Sequence, residues 1–112
     1  MITETPMFRA DYAEVPVREI APGFRGRYLH SGQITQGRVD IDSGSLLPVH
    51  SHPHEQWTTI LTGRLELTVA DVVHVLEPGQ VLYIPPHAVH SGRALAACQV
   101  IDVFHPVRED YR

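Results

Sequence analysis

The feature that most restricts this chain is its punctuation. Turn-forming residues recur at short intervals: Pro22-Gly23, the run from Asp42 to Ser45, Thr62-Gly63, Ala70-Asp71, Glu77-Pro78-Gly79 and Pro85-Pro86. Nine prolines and eight glycines spread over 112 residues leave no room for long helices, because both residue types destabilise a helix interior. The intervening runs alternate apolar and polar residues with the period of a strand. In 33–42, Val39 and Ile41 alternate with Arg38, Asp40 and Asp42, and in 64–69, Leu65, Leu67 and Val69 share one face. Strands are expected at 24–30, 33–42, 56–61, 64–69, 72–76, 80–84 and 98–104. Short strands in such number predict an all-β sandwich or barrel. Residues 1–20 are weakly patterned and read as an N-terminal arm or edge strand, ahead of a domain over 21–112.

This length suits one domain, which buries roughly 65% of its unfolded surface and needs no staple. The formal net charge of −4 supplies no basic face for nucleic acid or an anionic membrane surface. The start, MITETPMFRADYAEVPVREI, has neither the basic end nor the apolar centre of a signal peptide, and no run suits a membrane helix. A single cysteine, Cys98, excludes an intrachain disulfide, fits a reducing compartment, and reads as a small buried apolar residue. A cytoplasmic protein is expected.

Chemistry concentrates in two stretches. The first, GSLLPVHSHPHEQWTTILTG (44–63), carries His50, His52, His54 and Gln56 on alternate positions. On a continuous strand all four leave the same face if Pro53 does not break the alternation, and two imidazoles so spaced make half of a metal site. The second, GQVLYIPPHAVH (79–90), ends a stiff Pro-Pro loop on a histidine. Near the C-terminus, Asp102 stands between apolar neighbours, with Val100 and Phe104 on its face. Lining a barrel, Asp102 would lose solvation, which raises a carboxylate's pKa and fits it to move protons; on an edge strand it would face solvent.

Together the two stretches resemble the paired motifs of the cupin superfamily. Gly44, His50, His52, Gln56 and Gly63 match the first motif, with Gln56 where the family usually has Glu. Gly79, Pro85, His87 and His90 match the second, with His87 where the family has Gly. The resemblance implies a double-stranded β-helix, or jelly roll, with one divalent metal held by His50, His52, Gln56 and His90. Glu55 is the alternative fourth donor if the register differs. His54 and His87 read as supporting or loop-surface residues, and His30, His74 and His105 as ordinary ones.

Three imidazoles suit nickel, zinc, manganese or iron and leave positions open for a ligand. A neutral Gln56 leaves the full 2+ charge on such an ion, which favours an anionic ligand. HSHPHEQ at 50–56 and DVFHPVREDY at 102–111 further resemble the small single-domain cupins of the KdgF group, which act in pectin degradation. That resemblance implies ring opening of Δ4,5-unsaturated uronates to linear 4-deoxy-5-keto acids. Asp102 would be the catalytic acid/base, with Phe104 and Arg108 beside this small carbohydrate acid. An iron(II) dioxygenase, a polyketide-cyclase-like cupin and a non-catalytic sugar-binding module are the competing readings. The last strand is apolar on both faces, which suits cover by a second subunit or by the N-terminal arm, and a homodimer is the expected assembly.

Overall fold

The computed structural model describes residues 6–112. The first five residues of the expected arm lie outside the described residues. Ten strands follow in order: β1 (Arg18–Ala21), β2 (Phe24–His30), β3 (Thr35–Ile41), β4 (Leu46–His50), β5 (Glu55–Thr62), β6 (Leu65–Val69), β7 (Val72–Leu76), β8 (Val81–Ile84), β9 (His90–Ala94) and β10 (Cys98–His105). They form two antiparallel sheets, ordered β1-β2-β3-β10-β5-β8 and β4-β9-β6-β7, the arrangement of a jelly roll.

Alternation decides which residues fill the space between the sheets. From the large sheet, Phe24, Val39, Ile41, Ile60, Ile84, Val100 and Phe104 point inward and are buried; from the small sheet Leu65, Leu67, Val69 and Ala94 meet them. Each large side chain so buried stabilises the fold by ~1.5–3 kcal/mol. One cross-strand row on this inner face is polar at its centre: Tyr28, Gly37, Asp102, Thr58 and Leu82 are successive neighbours across β2, β3, β10, β5 and β8. Gly37 and Gly26 are required there. The Tyr28 ring lies where their side chains would be, so a methyl group at either position would collide with it.

Four expectations need correction. A continuous strand from His50 to Gln56 does not form: β4 ends at His50, the chain bends at Pro53-His54, and β5 begins at Glu55. Pro53 has no N–H to give a ladder, and the bend at Pro53-His54 interrupts the alternation between His50 and Gln56. Strand β9 was not expected, because His90-Ser91-Gly92-Arg93 has no alternating apolar pattern; it forms by pairing with β4 and β6. The strand expected over 33–42 is trimmed to Thr35–Ile41. Finally, the edge-strand placement weighed for Asp102 does not hold, because β10 is the centre of the large sheet, paired to β3 and β5. What lies open instead is the outer face beside it, where Trp57, Leu61, Val81 and Tyr83 are exposed.

The arm ahead of β1 contains one 3-10 turn, Tyr12–Glu14, capped by Asp11 through the Ala13 N–H (2.9 Å). Arg27 Nη1 donates to the carbonyls of Tyr12, Ala13 and Val15, which holds the arm against β2. The C-terminal tail turns back after β10 into a second 3-10 turn, Glu109–Tyr111.

Candidate metal centre

The two sequence stretches meet through strand pairing. His50 closes β4 and His90 opens β9, and the antiparallel ladder sets them directly opposite, with ring centroids 4.1 Å apart. His52 comes from the loop, its ring 4.9 Å from that of His90 and 5.7 Å from that of His50. That loop is pinned by the His87 N–H, which donates to the His52 carbonyl (2.8 Å). One ring nitrogen from each of the three histidines lies within 4.8 Å of the others, a spread that a metal ion can bridge.

Backbone carbonyls orient the rings. Nδ1 of His50 donates to Pro48 O (2.8 Å), Nδ1 of His52 to His54 O (3.0 Å) and Nδ1 of His90 to Ala88 O (2.8 Å). In a neutral imidazole the other nitrogen, Nε2, then carries the lone pair, which is the form a metal takes. Burial holds His52 neutral, lowering its pKa to about 4 with help from the Arg108 charge, and burial also lowers that of His90.

Two features then fit a cation and are difficult to explain without one. His90 Nε2 is buried and has no hydrogen-bond partner. His52 Nε2 faces Gln56 Oε1 at 3.1 Å, yet its single proton already serves His54 O. Two lone pairs therefore point at each other. Turning the Gln56 amide over does not relieve this, because Gln56 Nε2 donates to Thr58 Oγ1 (2.9 Å) and toward Asp102 Oδ1 (3.4 Å), and Thr58 uses its own proton on Asp102 Oδ1 (2.6 Å). A positive ion among His50, His52 and His90 satisfies all three nitrogens, so the donor set fits a divalent metal.

Asp102 sits directly behind this centre. Burial raises its pKa to about 6, against the Thr58 and Gln56 hydrogen bonds and the Arg108 charge, which all lower it. Phe104, next on the same face, turns its ring edge-on to His52 at 5.8 Å between centroids. Arg108 is buried, its guanidinium carbon 4.8 Å from the Phe104 centroid and 3.9 Å from that of Tyr111. Glu55 points the other way, its carboxylate accepting from the Tyr83 hydroxyl on the outer face (3.1 Å). His54 rests beside Phe104 and His52 but its ring is outside the cluster; the His87 side chain is exposed, and its backbone has φ +65°, the left-handed form that suits a glycine.

Sequence reasoning missed Thr58, Thr35, Asp110 and Tyr111. Thr58 was within reach, since alternation from Gln56 puts it on the inner face. His30, read as ordinary, links Thr35 Oγ1 (2.8 Å) to the Tyr111 carbonyl (3.2 Å) and so ties the tail to β2. A histidine without motif spacing carried no such signal.

A small antiparallel jelly roll with three convergent histidines at one end defines a class of metal-binding β-barrel. The family model described as a cupin domain matches residues 37–104, and the chain belongs to the cupin family. Among solved structures it is similar to an RmlC-like cupin from Shewanella frigidimarina (25% identity, TM-score 0.88, 99% of this chain and 100% of that one). It is also similar to KdgF from a Halomonas species (27% identity, TM-score 0.86, 96% of this chain and 100% of that one). An oxalate decarboxylase of Bacillus subtilis shares the fold over 88% of this chain but only 30% of its own (18% identity, TM-score 0.79). No curated protein matches the sequence.

Proposed function

We propose that this cupin opens the ring of Δ4,5-unsaturated uronates, giving linear 4-deoxy-5-keto acids without net oxidation or reduction. The observation that carries the reading is the placement of Asp102: a buried carboxylic acid one hydrogen bond from Gln56, whose other end faces His52. The likeness to KdgF over nearly the whole chain supports it. Gln56 Oε1 would join His50, His52 and His90 as the fourth donor. A divalent ion there, nickel, zinc, manganese or iron, supplies Lewis-acid stabilisation of negative charge on a bound oxygen. Because Gln56 is neutral, the 2+ charge stays unquenched and favours a carboxylate-bearing ligand.

The substrate is a cyclic hemiacetal whose ring oxygen is also an enol-ether oxygen. Asp102, as carboxylate, takes the proton of the C1 hydroxyl; the C1–ring-oxygen bond breaks, and C1 becomes the aldehyde. The same group, now protonated, gives that proton to C4, and C5 becomes the ketone. A pKa of about 6 suits both halves of the exchange near neutral pH, a role worth typically ~10²–10⁴-fold. Thr58 and Gln56 both donate to Oδ1, which leaves the other oxygen, Oδ2, to exchange the proton. Arg108 supplies the cation for the substrate carboxylate, and the Phe104 ring excludes water beside it.

The setting proposed is a reducing cytoplasm, and the assembly a homodimer joined by the open outer face around Trp57 and Tyr83. The test is incubation of metal-loaded protein with unsaturated galacturonate, following loss of the absorbance of its conjugated double bond with and without chelator. Asp102→Ala is expected to abolish turnover while bound metal stays. Turnover that survives this substitution, or consumption of oxygen in place of isomerisation, refutes the assignment.

A further inference from the structure

The tail residues Glu109, Asp110 and Tyr111 belong to the DVFHPVREDY stretch but received no role from the sequence. The structure places two of them around Arg108. This guanidinium is held by two aromatic rings and along one edge. Its carbon lies 3.9 Å from the Tyr111 ring centroid and 4.8 Å from that of Phe104, the two rings standing nearly perpendicular with their centroids 6.0 Å apart. Along the edge, Nε donates to Asp110 Oδ1 (3.0 Å) and Nη2 to Asp110 Oδ2 (2.8 Å). The Arg108 backbone is fixed too, its N–H donating to Thr35 Oγ1 (2.8 Å) at a fully buried residue. Nη1 alone has no hydrogen-bond partner among the described residues, and it is not sealed from solvent.

We propose that Asp110 and Tyr111 are positioning residues that lock the plane of Arg108 and leave its Nη1 edge as the seat for a ligand carboxylate. The inference rests on the reading above, in which a carboxylate-bearing sugar occupies the site. An arginine fork binds a carboxylate well only when its plane is fixed, and a fork has two usable edges. Asp110 takes the edge containing Nε, so the outer edge remains. The pair is lopsided, with the Arg108 side chain 8% exposed and that of Asp110 58% exposed, so the buried cation keeps its counter-ion without closing the mouth. The tail that carries both residues is itself latched. Arg18 donates to the carbonyls of Asp110 (3.0 Å) and Arg112 (2.6 Å), His30 holds the Tyr111 carbonyl, and the Tyr28 ring backs that of Tyr111 at 4.6 Å between centroids.

The test compares Asp110→Asn, Tyr111→Leu and Tyr111→Phe with the parent protein, all metal-loaded. Calorimetric binding of galacturonate and of its neutral methyl ester is measured beside turnover of unsaturated galacturonate. Asp110→Asn and Tyr111→Leu are expected to weaken galacturonate binding and raise KM by about tenfold, with kcat held within about twofold, a loss equal to ~1.4 kcal/mol. Tyr111→Phe keeps the stacking ring and is expected to behave as the parent; the methyl ester is expected to be indifferent to all three. Unchanged or tighter galacturonate binding in Asp110→Asn overturns the inference, as does equal binding of acid and ester by the parent protein. If galacturonate binds in this Asp110-dependent way but no unsaturated uronate turns over, the inference stands and the isomerase reading falls.

Discussion

Asp102→Asn is expected to make the metal-free protein more stable while removing its activity. Burial raises the Asp102 pKa from an ordinary 3.8 to about 6, so in the folded chain the ionised form is disfavoured. At 1.36 kcal/mol per pH unit, that difference corresponds to roughly 3 kcal/mol of destabilisation once the group is ionised. The sign follows from proton counting. Below pH 3.8 the carboxyl is protonated in both folded and unfolded chains, and the term vanishes. Between that value and about 6 the folded chain binds more protons, so its stability falls as pH rises; above about 6 the full penalty persists. Asparagine is neutral throughout, and its oxygen still accepts from Thr58 and Gln56. The stability difference between variant and parent, measured by urea unfolding after chelation, is therefore expected to be near zero at acid pH. It then rises with pH and levels off at roughly 3 kcal/mol in favour of Asn above neutrality, on the order of a 10 °C shift in melting temperature. A bound 2+ ion favours the carboxylate, so metal loading is expected to shrink the difference. A difference that does not vary with pH, or a less stable variant at pH 8, refutes the claim that Asp102 is held as a strained acid.

Gln56→Glu is expected to bind metal more tightly in a chelator competition, because a carboxylate replaces an amide oxygen. It also lowers the charge offered to the ligand and sets an oxygen against Thr58 and Asp102 Oδ1, so KM for an anionic substrate is expected to rise. His90→Ala is expected to reduce metal content to below about a tenth of an ion per chain by elemental analysis, following the 10–100-fold and larger losses typical of damaged metal sites; His74→Ala serves as the control that keeps its metal. Trp57→Glu places a charge at the centre of the exposed apolar face and is expected to convert a dimer to monomers in light scattering; a monomeric parent protein refutes the proposed homodimer.

How much of this was legible in the sequence depended on the range of the interaction concerned. Local signals were sufficient for the strands of 64–76 and 98–104, where turn chemistry and alternation agree. Spacing sufficed for His50, His52 and His90, since the two motifs bring β4 and β9 into a ladder that neither would form alone. Where Pro53 interrupts the alternation, periodicity by itself misled, setting His54 on one face with His50, His52 and Gln56; only the motif spacing, which reads His54 as a supporting or loop-surface residue, kept it out of the ligand set. Strand β9 and the central place of β10 were not legible because they are decided by partners far along the chain, and a Ser-Gly-Arg stretch carries no pattern of its own.

The second layer of the site was the least legible, and for a physical reason. Thr58, Thr35, His30 and Tyr111 act through hydrogen bonds and ring stacking between elements distant in sequence, Asp110 acts through Arg108 two residues away, and each has an ordinary surface or strand interpretation by itself. What marks them is the arithmetic of protons and lone pairs. Thr58 has one proton and gives it to Asp102; Gln56 must then present its amide nitrogen to this pair and its oxygen to His52. That chain makes the amide at position 56 directional, so the same residue that in the proposed site would leave a cation's charge unquenched also orients the carboxylate at 102. Replacing Thr58 with Val removes the proton donor to Asp102 and the acceptor for Gln56 together. The amide then loses its reason to face one way, and metal affinity and the Asp102 pKa are expected to change in concert.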